Sequence, residues 1–309
     1  MTEVLIGAGG WAYFQVPNRD SLEAYSEAFN FVEVNSTFYE HPEIWQVKSW
    51  RRRVPEDFEF SVRCHRDLTH KYRLEPIDEA FRIFVRTMTV CRILRAKFLH
   101  MQTPADLKCD KAKIQAIDNF LKRADHEGVE MAWEIRRPEN ESVPSELLEL
   151  MREYEIIHCV DLSREEPKVK SDILYTRLFG KGSRNIYQFT DEELKEIDEK
   201  SNKSEYRRAA LTFHGVKMYK DAARLKTYRV SGRFPMATRS TGPESLREVL
   251  SEDAEFPATK QQLIEDQGWK VIDLTPERRV HASVLLKDIP EKTYKTIDEV
   301  IHELPEEFR

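Results

Sequence analysis

Along most of the chain, short runs of β-branched and aromatic residues alternate with longer segments whose apolar residues recur every three or four positions. The runs are VLIGAGG from Val4, FVEVNS from Phe31, FEFSVRC from Phe58, AKFLHM from Ala96, EMAWEIR from Glu130, IIHCVDL from Ile156, ILYTRLFG from Ile173 and AALTFHG from Ala209. They predict eight strands. Between them, SLEAYSEAF, AFRIFVRTMTVCRIL, IQAIDNFLKRA and SELLELMREY carry helical spacing. Strand–helix alternation predicts a parallel sheet, and eight units within about 235 residues fit a closed (β/α)8 barrel of the TIM type. An open doubly wound sheet is the alternative, but its GxGxxG turn is missing: Gly7, Gly9 and Gly10 run into Trp11 rather than into a helix start.

The rhythm changes after Pro235. ATRSTGPES reads as a polar linker, TGPESLREVL as a helix with Pro243 in its first turn, and FPATKQQLIEDQGW as a helix started by Thr259 and stopped by Gly268. TIDEVIHEL repeats the form, with Thr296 as N-cap and Glu299 at the reciprocal position of a capping box. The expected organisation is a barrel over 1–235 and a small, mainly helical domain over 236–309.

Charge follows the same division. Of 49 Lys+Arg and 55 Asp+Glu, the segment from Ala237 onward holds 10 and 16, so the acidic excess of the whole chain lies there. The balanced body argues against a protein that coats nucleic acid non-specifically while permitting a local basic cleft. No apolar run approaches the roughly 18 residues that cross a bilayer, and no basic stretch followed by an apolar segment opens the chain, so the cytoplasm is the expected location. Cys64, Cys91, Cys109 and Cys159 show no CxxC spacing and read as free thiols.

In such a barrel the site is built at the C-terminal ends of the strands. Strand by strand those ends offer Gly10 and Trp11; Glu33, Asn35 and Tyr39; Arg63, His65 and His70; His100 and Gln102; Glu134 and Arg136; Asp161; Arg177; and His214. Each alone reads as a hydrogen-bonded structural residue. Converging on one mouth, buried charges require a partner or a function.

Two chemistries suit the set. Glu33, His65, His100, Glu134, Asp161 and His214 are donors that zinc or manganese accept, although an ion-pair network with Arg63, Arg136 and Arg177 accounts for the same residues. RLFGKGSR, with Lys181 and Arg184, follows strand seven where barrels often bind phosphate; a solvated basic loop is the other reading. From Lys48 to Arg73, eight Lys or Arg against four acids are interleaved with Trp50, His65 and Tyr72, with Trp45 just ahead of them. That mixture suits phosphates and bases, or an amphipathic helix in WQVKSWRRRV with Trp45 and Trp50 near one another on its face.

GAGGWAY at Gly7, FVEVNSTFYEHP at Phe31, the Trp45–Arg63 segment ending RVPEDFEFSVR, THKYRL at Thr69, Asp161, YTRLFG and YQFTDEEL together resemble the YecE-like family, domain of unknown function 72, over about Val4 to Pro235. The resemblance implies a barrel of the kind shared with xylose isomerase-like proteins and endonuclease IV, with no settled activity. It places Glu33, Asn35, Tyr39, Arg63, His70, Asp161 and Arg177 on recurrent family positions. Two departures stand out: Arg63 where members often carry Lys, and WEIRRPE where a histidine-bearing segment is usual. The tail from Glu255 to Leu304 resembles domain of unknown function 2795.

The expectation is therefore an enzyme acting on a phosphate-containing ligand, a nucleic acid among the candidates, as in a metal-dependent phosphodiesterase or nuclease. Glu33, Glu134 and Asp161 would serve as bases or metal ligands, His70, His100 and His214 as acids or ligands, and Asn35 and Tyr39 as further catalytic groups. Trp11, Arg63, Arg136, Arg177, Lys181 and Arg184 would bind the ligand. A non-catalytic phosphate- or nucleic-acid-binding barrel and a sugar-phosphate isomerase or lyase use the same groups. The terminal domain is expected to engage a protein partner, and no membrane is involved.

Overall fold

The computed structural model describes residues 2–138, 141–182 and 185–308. Its elements run β1 (Glu3–Ala8), α1 (Ser21–Ala28), β2 (Phe31–Val34), α2 (Ile44–Arg52), β3 (Glu59–Arg63), α3 (Asp78–Leu94), β4 (Phe98–Thr103), α4 (Lys111–Arg123), β5 (Glu130–Ile135), α5 (Ser145–Glu153), β6 (Ile157–His158), β7 (Ile173–Leu178), α6 (Asp191–Ser201), β8 (Arg208–Phe213) and α7 (Met218–Ser231). The eight strands form one parallel sheet in the order β6-β5-β4-β3-β2-β1-β8-β7. Its two ends meet through a parallel bridge between Val160 and Thr176. The chain is thus the expected (β/α)8 barrel. Because β6 contributes so short a ladder, the seam leans on a side chain: the Thr176 hydroxyl donates to Val160 O at 2.7 Å and accepts from Leu162 N at 3.1 Å.

Helix starts follow their sequence signals. Asp20 caps α1 by accepting from Leu22 N and Glu23 N, and Asp110 caps α4 by accepting from Lys113 N. Gly7 serves packing rather than a turn: a Cβ there would lie 2.0 Å from Phe31 O. At this close approach the Tyr25 hydroxyl accepts from Ala8 N and donates to Phe31 O, both at 2.8 Å, fastening β1 to β2.

Contacts between non-adjacent strands identify the barrel interior. Its lower layer is apolar, with Leu5, Phe31, Phe98, Ala132, Ile157, Ile173 and Ala210 in one buried cluster. Two residues further along the strands the same face turns polar, because strand side chains repeat with period two. In α2 only Val47 is fully buried. Trp45 is 68 % exposed while Trp50 packs edge-on against Trp11 at 5.3 Å, so the two tryptophans do not share a face. Five residues along a helix is about 140° of rotation, which separates them.

Grouped by contact density, the chain forms two units: Met1–Leu178 with Lys200–Phe213, and Phe179–Glu199 with His214–Arg309. The second contains α7 together with α8 (Gly242–Asp253), β9 (Ala258–Thr259), α9 (Lys260–Gln267), β10 (Val271–Thr275), β11 (Arg278–His281), α10 (Ser283–Leu286), β12 (Thr293–Tyr294) and α11 (Ile297–His302). Its core gathers Leu246, Val249, Leu250, Leu263, Ile272, Leu285, Tyr294, Val300 and Leu304. Besides the expected helices it carries two small antiparallel pairs, β10–β11 and β9–β12. Thr259 and Gln262 form a reciprocal capping box. At α11 the box is shifted: Glu299 N donates to Thr296 Oγ1, but the Glu299 carboxylate accepts from Lys295 N rather than from the cap residue. Among the described residues no helix is long and apolar enough to cross a membrane.

Candidate functional site

At the C-terminal end of the barrel interior, β2, β3, β4, β5 and β7 bring charged side chains together. Glu33, His100 and Arg177 are essentially excluded from solvent, and Glu134 nearly so. Arg177 reaches both carboxylates, 3.1 Å from Glu33 Oε1 and 2.7 Å from Glu134 Oε2, and also donates to Gln102 Oε1 at 3.2 Å. The Tyr175 hydroxyl donates to Glu33 Oε2 at 2.7 Å and lies 2.7 Å from Ser61 Oγ. Arg136, half exposed, donates to Glu134 Oε1 at 3.0 Å.

Burial disfavours the Glu134 charge, but Arg177, His100 and Arg136 outweigh it and hold the carboxyl well below its usual range. Burial likewise opposes the Arg177 charge, and Glu33 and Glu134 more than restore it, raising its pKa. His100 responds in the opposite sense: burial first, then Arg177, lowers the imidazole, which is neutral at pH 7. Its ring nitrogens stand 3.7 Å from Glu33 and 3.3 Å from Glu134 without hydrogen-bond geometry, and both are buried without a bonding partner.

Arg63 differs from Arg177. Its guanidinium donates to Asn35 Oδ1 and Gln102 Oε1, each at 2.6 Å, and lies 3.7 Å from the centre of the Phe38 ring. Its Nε is buried with no partner. Among the described residues no carboxylate is in ion-pair contact with it. Burial, then repulsion from Arg177, lowers it to about 10, still protonated at neutral pH. His70 packs edge-on to Phe38 at 5.2 Å, with Nδ1 2.9 Å from Thr69 Oγ1; burial, then Arg63 and Arg136, lowers its pKa. Tyr39, exposed, packs against the far side of this group through Phe38.

The remaining expected residues make contacts of their own. His65 stacks on His41 at 4.6 Å and accepts from Asp67 N through Nδ1. Asp161 turns to its own loop, accepting from Ser163 N and Oγ. Trp11 packs on Trp50. His214 and Lys181 belong to the second unit, where His214 stacks on Phe179 and Lys181 pairs with Glu193 at 3.1 Å. Arg184 lies outside the described residues.

For a divalent ion, the donors that converge among the described residues are His100, Glu134 and Cys159, whose ligand atoms all lie within 4.8 Å of one another. This differs from the set expected from sequence, sharing only His100 and Glu134 with it. The donors fit: a neutral imidazole with two unpartnered nitrogens, an ionised carboxylate and a thiol are what a borderline ion takes. Cys159, Tyr175 and Ser61 went unnoticed as site residues because each sits one strand repeat below a polar end residue: Asp161, Arg177 and Arg63. The period-two pattern was the signal that could have found them.

The family model for proteins of unknown function DUF72 matches residues 5–238. Among solved structures, a DUF72 family protein from Thermotoga maritima is 20 % identical with a TM-score of 0.61, covering 74 % of this chain and 100 % of its own. Another from Enterococcus faecalis is 15 % identical with a TM-score of 0.57, covering 74 % and 98 %. An AP endonuclease, family 2, from Brucella melitensis is 12 % identical with a TM-score of 0.47, covering 74 % and 99 %. No curated protein matches the chain.

Proposed function

The chain belongs to the family of proteins of unknown function DUF72, and from that premise we propose that its barrel is an enzyme acting on a phosphate-containing ligand bound at the C-terminal mouth. Arg63 carries this reading. A nearly buried guanidinium bonded to two neutral amide oxygens, beside carboxylates already clamped by Arg177, is a cation lacking its counter-ion. An anionic ligand supplies one.

The roles follow from the electrostatics. Arg63, with Arg136 at the more exposed edge, binds the anion. Glu134, held ionised, accepts a proton or a metal bond rather than donating a proton. Arg177 and Tyr175 fix the carboxylates of Glu134 and Glu33, so that their direction is set before the ligand arrives. Neutral His100 accepts through a ring nitrogen, and His70 at the rim, its pKa lowered, also works as an acceptor near pH 7. A divalent ion of the zinc or manganese type, held by His100, Glu134 and Cys159, supplies a Lewis acid when bound.

Within this reading the ligand is a phosphodiester, as in a nuclease, and Asn35, Tyr39, Asp161 and Trp11 complete its surroundings. The reading also takes 1–235 as a YecE-like barrel and 236–309 as a DUF2795-like domain that engages a protein partner, in the cytoplasm.

The test is turnover of single-stranded, duplex and abasic-site DNA and of sugar phosphates, with manganese or zinc present, by wild type, Glu134→Gln and Arg63→Gln. The reading expects one substrate class to be turned over, kcat to collapse in Glu134→Gln, and KM to rise in Arg63→Gln. Saturable phosphate binding without turnover makes the barrel a binding protein, and an altered carbonyl without nucleotide release makes it an isomerase or lyase. Intact substrates together with no phosphate binding overturn the proposal.

A further inference from the structure

The interior layer just below the mouth holds a thiol that phosphate binding does not use. Cys159 is buried, 2 % exposed, and its sulfur and the ligand atoms of His100 and Glu134 all lie within 4.8 Å of one another. We propose that His100, Glu134 and Cys159 form a three-ligand site for a zinc-class divalent cation, with Cys159 binding as thiolate. The inference rests on the working site described above but not on the identity of its anion.

Two observations carry it. The first is the imidazole of His100: both nitrogens are fully buried, both lack hydrogen-bond partners, and Nε2 lies 3.3 Å from Glu134 Oε2. A buried polar ring left so is costly unless something bonds it. The second is the donor set, because imidazole, carboxylate and thiolate together suit zinc and exclude magnesium or calcium, which take oxygen ligands. Three protein donors leave a tetrahedral ion one position for a ligand, as in catalytic rather than structural sites.

Arg177 does not block the site, since a carboxylate has about four lone-pair positions and Glu134 can serve a guanidinium and an ion together. When the ion binds, the sulfur–proton bond is replaced by a sulfur–metal bond and the proton passes to buffer.

Cobalt(II) reports this geometry in place of zinc. The reduced full chain, stripped with a chelator and titrated with cobalt in phosphate-free buffer, is expected to bind one equivalent and to develop a thiolate-to-cobalt charge-transfer band that zinc abolishes. Cys159→Ser should lose the band, and His100→Gln should weaken binding at least tenfold while circular dichroism stays unchanged. Cys64→Ser and Cys91→Ser, at buried thiols outside the cluster, should leave the band intact. No bound cobalt, cobalt without the band, or a band that survives Cys159→Ser overturns the proposal. Should Cys159→Ser fail to fold, wild type and His100→Gln decide it. Phosphate binding by wild type and Arg63→Gln, measured separately, shows whether the anion reading stands or falls on its own.

Discussion

The barrel interior and the C-terminal unit both bury arginines with carboxylates, yet they satisfy them differently. In the C-terminal unit the charges are tied to backbone. Asp273 accepts from Ala237 N and Thr238 N as well as from Thr238 Oγ1 and Arg279, Asp221 accepts from Phe189 N, and Arg224 donates to Phe189 O besides Asp221 and Asp191. In the barrel, Glu33 and Glu134 are held by the side chains of Arg177, Tyr175 and Arg136, and Arg63 by those of Asn35 and Gln102. A carboxylate bonded to backbone amides cannot change partners without local unfolding, so the first network staples loops. Side chains can exchange partners with a ligand, which is what a site requires.

The sharpest way to break this comparison is to remove one carboxylate from each network. Asp273→Ala leaves two backbone amides without their acceptor and Arg279 with Asp191 as its remaining carboxylate, and should cost about 3–5 kcal/mol of stability in urea unfolding. Glu134→Gln should reverse the pattern: unfolding little changed, turnover lowered roughly 10²–10⁴-fold. If both variants lose stability alike, the distinction fails.

Arg63→Gln is expected next in size. It removes a cation bonded to neutral groups, so phosphate affinity should fall by the roughly 1.5–3 kcal/mol of a charge-assisted bond, with no comparable loss of stability. Acid should affect the barrel too. Burial holds the His158 imidazole at about 4, where it accepts from Lys168 N. The unfolded chain takes up this proton near 6.5, so the stability it contributes is complete above that pH and is lost as pH falls toward 4, by an amount on the order of 2–3 kcal/mol. Urea unfolding of wild type and His158→Asn between pH 7 and 4 should show the difference narrowing.

The smallest effect is at Lys181. Its half-exposed pair with Glu193 predicts a stability change under about 1 kcal/mol for Lys181→Ala, and a fall in phosphate affinity in the same variant would place it among the ligand-binding cations.

The barrel itself was legible because alternation of period-two and period-3.6 segments is a local property. Glu33, Arg63, His100, Glu134 and Arg177 were legible as well, since charge at strand ends is rare without a reason. What sequence could not supply was partnership. It offered His65, Asp161 and His214 on equal terms with His100, and only the fold shows His65 stacked on His41 and Asp161 turned to Ser163. Cys159 looked inert because a thiol among apolar residues is ordinarily a small core residue. Its register with His100 and Glu134 depends on pairing across β4, β5 and β6, which no single segment encodes.

The central claim is that Arg63 lacks an anion which the ligand provides. Calorimetric titration of inorganic phosphate into wild type and Arg63→Gln tests it most directly. The account predicts saturable, single-site binding to wild type, weakened roughly 10- to 100-fold in the variant as expected for one charge-assisted bond. Equal binding by both proteins, or none by wild type, would contradict it.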